Sequence, residues 1–310
     1  MSGGRHLRSW LPRISRLRQW SIGIYTGESP LTLRQPADLV NPVLSAGDVT
    51  DVTARSIADP FMMHTDSGWY MFFEVLDDES GLGKIGYARS DDARHWQYAG
   101  IVLQEPFHLS YPYLVTTARE VYLIPESGNA GCVRLYRARS FPTDWELVGT
   151  LLTGQPFTDS SVFPHDGRWW MFTVTDPRRN DALRLYSAER IEGLWTEHPQ
   201  SPVVTGNPHL ARPAGRVFGH AGHLFRYAQD ALPWYGSRVW AVEVTELTIR
   251  AYAERLAVPR PIVARRRFGG WRCAWNALGM HHVDPHPWGE RWIACVDGHR
   301  HVLRHPLTRG

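Results

Sequence analysis

Apolar runs and polar turns alternate down this chain at a spacing that repeats. Asp59-Pro60-Phe61-Met62-Met63 is followed, ten residues after Asp59, by Trp69-Tyr70-Met71-Phe72-Phe73-Glu74. The same interval joins Tyr111 to Val121-Tyr122-Leu123-Ile124-Pro125-Glu126, and Asp159 to Trp169-Trp170-Met171-Phe172. Each pair reads as strand, tight turn, strand. The pairs recur at about fifty residues, a period typical of propeller blades. Looser copies start at Pro213 (Gly-Arg-Val-Phe, then His223-Leu224-Phe225-Arg226) and at His281 (His-His-Val-Asp, then Arg291-Trp292-Ile293-Ala294).

The second half of each repeat adds two more strands and a tryptophan. Ile85-Gly86-Tyr87-Ala88 precedes Trp96, Val133-Arg134-Leu135-Tyr136 precedes Trp145, and Leu183-Arg184-Leu185-Tyr186 precedes Trp195. The pattern predicts an all-β fold, a five-bladed β-propeller with four-stranded blades. The recurrent tryptophans are expected to pack between neighbouring blades. The stretch from Ser21 to Ile57 carries no clear repeat and is read as a lead-in that can supply a strand to close the ring. The propeller is accordingly placed at residues 21–310, with residues 1–20 as a separate segment.

In that segment Arg5, Arg8, Arg13, Arg16 and Arg18 punctuate Leu7, Trp10, Leu11, Ile14, Leu17 and Trp20, an apolar stripe at helical spacing interrupted by Pro12. It reads either as a docked helix or as a basic amphipathic face for peripheral membrane contact through residues 5–20. The run Arg265-Arg266-Arg267 reads as a solvated loop at the ring's edge. Elsewhere charges of both signs are interspersed and the formal net charge is only +3, which argues against nucleic acid as a partner. Three cysteines, Cys132, Cys273 and Cys295, without CxxC spacing fit a reducing compartment, so the cytoplasm is the expected location.

A propeller brings the first strand of every blade to a common axis, so the residues heading those strands share one cavity. By this alignment they are Asp59, Tyr111, Asp159, Pro213 and His281. Paired carboxylates flanking a glycosidic bond are what acid/base sugar chemistry needs. Glu74 and Glu126 each end an apolar run, where burial would raise a carboxyl pKa and suit a general acid. The plainer alternatives are a turn cap for the aspartates and ion pairs with Arg89, Arg134 or Arg184 for the glutamates. A later polar cluster comprises Arg212, Arg216, His220, Gln229, Asp230, His281 and Asp284, read as groups that bind substrate; the arginines suit an anionic group. In an extended strand His282, Asp284 and His286 would share one face, a spacing compatible with a metal, although none is assigned. No phosphate loop, GxSxG or dinucleotide fingerprint is present, and no cofactor is expected.

Several strings resemble a known family. Ala58-Asp59-Pro60-Phe61, Phe107-His108-Leu109-Ser110-Tyr111-Pro112, Ile124-Pro125-Glu126-Ser127, Ala211-Arg212-Pro213-Ala214-Gly215-Arg216, Ala228-Gln229-Asp230 and Gly279-Met280-His281-His282-Val283-Asp284 are similar to the N-terminal propeller domain of plant glucosamine inositolphosphorylceramide transferases. The resemblance runs from about Ile22 to Gly298. It places His108 among the substrate-binding candidates. It also implies kinship with the arabinanase, β-xylosidase and invertase clan of glycoside hydrolases. By that kinship Asp59 matches the clan's general base or nucleophile. The clan's second aspartate falls on Tyr111, and its general-acid glutamate falls on Asp159; Glu126 lies elsewhere in blade two. In the plant protein the resemblance assigns transferase chemistry to a separate C-terminal domain. Two functions follow. One is an enzyme that cleaves or transfers a glycosyl group, with Asp59 as base or nucleophile and Glu126 or Asp159 as acid. The other is a propeller that binds glycan or glycolipid and assists a partner glycosyltransferase.

Overall fold

In the computed structural model, which describes residues 15–265 and 274–304, five antiparallel sheets surround one axis. Blade one runs through Ala54–Thr65, Gly68–Asp77, Gly83–Ser90 and Gln97–Leu103, ordered from the axis outward. Blade two follows with Ser110–Thr116, Val121–Glu126, Cys132–Ser140 and Asp144–Thr153. Blade three has Thr158–His165, Arg168–Val174, Leu183–Ala188 and Thr196–Glu197. Blade four begins with the short strand Phe218–His220 and continues through His223–Asp230, Arg238–Leu247 and Tyr252–Leu256; Val263–Ala264 joins its third strand as an extra piece.

Blade five closes the ring. Val283–Trp288 lies innermost, Arg291–Arg304 is second, and the chain's own start, Ser15–Gly27, is third. Thirteen residue pairs tie Ser15–Gly27 to the second strand, from Ser15 opposite Arg304 to Gly27 opposite Trp292. The first and last strands thereby lock the ring and leave no open seam between the ends. Outside them only the isolated bridges Ile22–Leu44 and Thr26–Arg34 stand where a fourth strand would run, so this blade is three-stranded among the described residues. The helical spacing read across residues 1–20 is corrected for its final part: residues 15–20 are extended. Arg16 and Arg18 are exposed while Leu17 and Gln19 are partly covered, the period-two signature of a strand. The rest of that stripe, with Arg266, Arg267 and Cys273, lies outside the described residues. No helix among the described residues is long and apolar enough to cross a membrane.

Apolar side chains fill the contacts between blades. Trp145 of blade two meets Phe72 of blade one edge-on, ring centroids 5.7 Å apart, as the repeated tryptophan predicted. Each repeat tryptophan also donates its indole N–H to a carbonyl three or four residues back: Trp96 to Ala93, Trp145 to Pro142 and Trp195 to Ile191. That bond satisfies the one polar atom of a ring otherwise committed to packing.

The inner strands share one irregularity. Register slips between Ala58 and Phe61, between Ser110 and Tyr113, and between Thr158 and Ser161. In each slip the head residue has a left-handed backbone: φ is 54° at Asp59, 45° at Tyr111 and 50° at Asp159. Such bulges redirect a side chain out of the strand's ordinary alternation. The ten-residue period therefore marks three equivalent bulges around the axis.

Candidate functional site: an acidic axial funnel

At the head end of the inner strands lies a cavity of about 220 Å³. Its walls carry Asp59, Glu74, His108, Glu126, Arg212, Tyr235 and His281, with Trp20 and Ser56 at one side. Pairing explains why the two glutamates arrive together. Glu74 stands opposite Ala58 and Glu126 opposite Ser110, each the residue before a bulge. Both glutamates therefore project from the second strand at the same height in adjacent blades.

Burial pushes the Glu74 carboxyl up to about 8, with the Asp59 charge adding to it. The Asp59 and Glu126 carboxyls are also raised, first by burial and then by the Asp159 charge. Arg212 opposes both shifts. At neutral pH this group holds fewer negative charges than it has carboxyls.

Arg212 is the cationic wall. Its Nε donates to Asp159 Oδ2 at 2.6 Å, its Nη1 to Asn180 Oδ1 at 3.0 Å, and Tyr235 lies beneath its guanidinium at 4.9 Å. Gln229 Nε2 donates to the same Asp159 oxygen at 2.8 Å. Asp159 is thus held behind Arg212 and is 3% exposed. Its backbone N–H donates to Glu126 Oε2 at 3.2 Å, which couples the two residues directly.

The opposite wall is a chain of buried polar groups. Asp297 accepts the backbone N–H groups of Asp59, His281 and His282 at 3.1, 3.0 and 3.1 Å, pinning the heads of blades one and five to each other. His281 Nδ1 lies 2.7 Å from Asp297 Oδ2, and its Nε2 lies 3.8 Å from Asp59 Oδ1. Burial alone would raise the Asp297 carboxyl, but the neighbouring histidines hold it below its usual range. Trp20 stacks on His281 at 3.9 Å and on His299 at 4.0 Å, so the closing strand itself braces the site. Among the described residues, Asp59, His281 and Asp297 also form a cluster whose potential metal-ligand atoms lie within 4.8 Å of one another.

Other sequence candidates fall elsewhere. Tyr111 is buried; its hydroxyl meets Ser161 Oγ at 2.9 Å, donates to Gly215 O at 3.0 Å and accepts Gly215 N–H at 2.7 Å, joining blades two, three and four. Arg216 and Asp284 pair near the far ends of the inner strands, where a second cavity of about 220 Å³ is lined by Met62, His64, Leu114 and His286. His286 Nε2 meets Asp284 Oδ2 at 2.9 Å, as the shared face predicted, whereas His282 turns to the axis and packs against Phe61 and Tyr111. His220 sits beside Trp292 at the far end of its strand. Asp230 accepts from Trp240 Nε1 and the Leu232 backbone and contacts His209 and Arg238, an anchor for its loop.

The funnel also contains residues that the sequence reasoning passed over: Trp20, Tyr235, Asn180, His299 and Asp297. Asp297 carried a usable signal, since it ends the run Ile293-Ala294-Cys295-Val296 as Glu74 and Glu126 end theirs.

These features define a five-bladed propeller with a carboxylate-rich axial funnel, and the propeller fold is shared with solved glycoside-processing enzymes. A solved structure from the GH130 family of mannoside phosphorylases, which contains glycoside hydrolases that target β-1,2 mannosidic linkages in Candida mannan, matches with a TM-score of 0.61 and 12% identity, covering 92% of this chain and 95% of that one. An α-L-arabinanase from Cellvibrio cellulosa matches with a TM-score of 0.55 and 14% identity, over 82% and 93%. At such identities the likeness is one of fold.

The sequence is more specific. The chain belongs to the family described as glucosamine inositolphosphorylceramide transferase 1, N-terminal, whose model matches residues 16–299. Glucosamine inositolphosphorylceramide transferase 1 of Oryza sativa subsp. japonica is 35% identical over 91% of this chain, and that of Arabidopsis thaliana is 31% identical over the same share. The chain spans about 40% of the length of these relatives.

Proposed function

We propose that this propeller binds a glycan in its axial funnel and cleaves or transfers a glycosyl group there by carboxylate acid/base chemistry. The observation that carries this reading is the convergence of Asp59 and Glu126 on one enclosed cavity. Two carboxyls across a glycosidic bond meet the chemical requirement, one giving a proton to the leaving oxygen and the other attacking or activating water. Glu126, partly buried and set against Asp159, is the proton donor. Asp59 faces His281, which Asp297 holds in place, and serves as base or nucleophile. Arg212, aimed by Asp159, Asn180 and Tyr235, binds substrate oxygens. The relatives' name, which speaks of glucosamine and an inositolphosphoryl lipid, supports a glycolipid head group as the ligand class.

A second reading, a propeller that binds glycan for a partner glycosyltransferase without turnover, is favoured by one observation. At the head of blade two, Tyr111 is buried and committed to Gly215 and Ser161, so no third carboxylate heads that strand. Membrane contact through residues 5–20 and a cytoplasmic location belong to the same proposal. To separate the readings, wild-type and Asp59→Asn proteins are incubated with aryl glycosides and glycolipid head groups, with products read by mass spectrometry. The enzyme reading predicts release by the wild type and a loss of about 100-fold or more in the variant. Retained binding with no product from the wild type establishes the second reading.

A further inference from the structure

The two strands that close blade five run on past the site they brace. Val283, the first residue of the innermost strand, stands opposite Val296, and the last bridge from that side is Gly279–His299. Beyond it residues 15–19 and 300–304 remain paired with each other, a two-stranded ribbon that reaches about 16 Å past the Trp20–His299 pair. Gln19 Nε2 donates to Arg55 O at 3.2 Å and ties the ribbon's base to blade one.

Residues directly opposite in an antiparallel pair share a face. Trp20 and His299 are such a pair, and their rings stack at the funnel wall. By alternation the same face continues outward through Arg18 and His301, then Arg16 and Leu303. These four side chains are exposed, Leu303 by 61%, whereas Leu17 and Val302 on the reverse face are partly covered. A loop of blade four, residues 231–237, stands beside the ribbon and sends Tyr235 into the cavity wall. Its Trp234 Nε1 donates to Leu278 O at 2.9 Å, and a Cβ on Gly236 would come within 2.6 Å of Trp20, so ribbon and loop are packed together. The loop presents Leu232, 43% exposed, and the exposed Pro233, while the Arg265 guanidinium lies 5.3 Å over the Trp234 ring.

Charge sets this side of the mouth apart. Among the described residues Arg16, Arg18 and Arg265 make no ion pair, whereas on the blade-one side Asp77 pairs with Lys84 and Asp78 with Arg55. Residues 1–27 and 298–310 together hold eight arginines and neither Asp nor Glu, although the whole chain is only +3. Ser15 stands opposite Arg304, so residues 1–14 and 305–310 join the fold at the ribbon's tip. A basic face without counter-charges, carrying exposed leucines and a proline, complements a surface that is anionic outside and apolar beneath. A soluble polyanion would leave Leu232 and Leu303 unmatched.

We propose that the ribbon face and the blade-four loop form a docking surface for an anionic lipid bilayer, with the funnel mouth turned toward the head groups. This goes beyond the contact of residues 5–20 proposed above: the surface is assembled from distant segments that meet only in the closed ring, and it is independent of the sugar chemistry.

The test is co-sedimentation of the full chain with phosphatidylcholine vesicles, with and without about 30% phosphatidylserine. The anionic vesicles should bind at least about tenfold more tightly, and about 0.5 M salt should cancel most of that difference. Arg16→Glu with Arg18→Glu should lower affinity for the anionic vesicles at least about tenfold. Leu232→Ser with Leu303→Ser should lower it about threefold or more. None of these four residues lines the cavity, so urea midpoints and sugar binding should stay at wild-type values. Arg5→Glu with Arg8→Glu is the comparison: loss of binding in that variant alone overturns the inference and restricts the contact to residues outside the ribbon. Wild-type affinity in the leucine variant, with vesicle binding abolished by dextran sulfate, overturns it in favour of a soluble polyanion. Equal binding to both kinds of vesicle, or binding to neither, overturns it outright. If the ribbon variant fails to fold, the salt dependence and the leucine variant decide. Every one of these outcomes leaves the glycan reading in place, since turnover is measured separately.

Discussion

Replacing Asp159 by asparagine tests whether the funnel is built around a buried ion pair. Asp159 Oδ2 receives Arg212 Nε at 2.6 Å and Gln229 Nε2 at 2.8 Å, and the paired side chains are only 10% and 4% exposed. Asparagine keeps an acceptor oxygen and tolerates the left-handed backbone at this position, where φ is 50°. The substitution therefore removes charge with little change of shape. Breaking a buried pair by removing one partner costs about 3–5 kcal/mol, because the remaining charge stays buried without compensation. Retained hydrogen bonding places the expected loss near the lower end, about 3 kcal/mol. Glu126 modifies the outcome. It loses the Asp159 charge that helps to raise its pKa, so it ionises more readily beside Arg212 and partly replaces the missing anion. The deficit should accordingly be larger at about pH 5 than at about pH 8. Urea unfolding followed by tryptophan fluorescence at both pH values measures it. A loss below about 1 kcal/mol, or one that grows with pH, would refute the reasoning.

Other consequences are open to the same methods. Tyr111→Phe leaves the buried Gly215 N–H without its acceptor and should cost about 1–3 kcal/mol; urea midpoints that match wild type would contradict that role. Gly215→Ala should largely abolish soluble folded protein, since φ is 123° and the new Cβ would approach Val283 O to 1.9 Å, an outcome that circular dichroism reads directly. Glu74 titrates at about 8 in the folded chain against an ordinary value of 4.5. A raised carboxyl contributes stability that is complete below about 4.5 and is lost as pH rises toward about 8, with a slope of up to about 1.4 kcal/mol per pH unit. Glu74→Gln should flatten that part of the stability–pH curve, and an unchanged curve would show that Glu74 titrates normally.

The propeller was legible because its repeat is written in apolar positions. Phe61 and Phe72, Tyr113 and Ile124, Ser161 and Phe172 are cross-strand partners in their blades, so a fixed ten-residue interval reflects a fixed bulge and turn. Closure was only partly legible. Leu17 and Trp20 stand three apart and read as a helical stripe, yet the strand they occupy is specified by pairing with Val302 and His299, far away in the chain. The site followed the same division. Asp59, Glu74 and Glu126 were found because each is fixed by its own hairpin. Trp20, Tyr235 and His299 were missed because they reach the funnel through ring closure and a loop of blade four, which no local pattern records. Arg216, Asp284 and His220 were drawn to the funnel by proximity in sequence. Strand direction separates them: the residues after a blade's head run away from the cavity toward the far end of the axis.

The central claim is that the head-end funnel is the sugar site. Crystals soaked with a methyl glycoside that binds in solution test this most directly. The account predicts a single pyranose ring inside the cavity, within hydrogen-bonding distance of Asp59, Glu126 and Arg212. A sugar seated at the Arg216–His286 end, or on the outer face of a blade with the funnel empty, would contradict it.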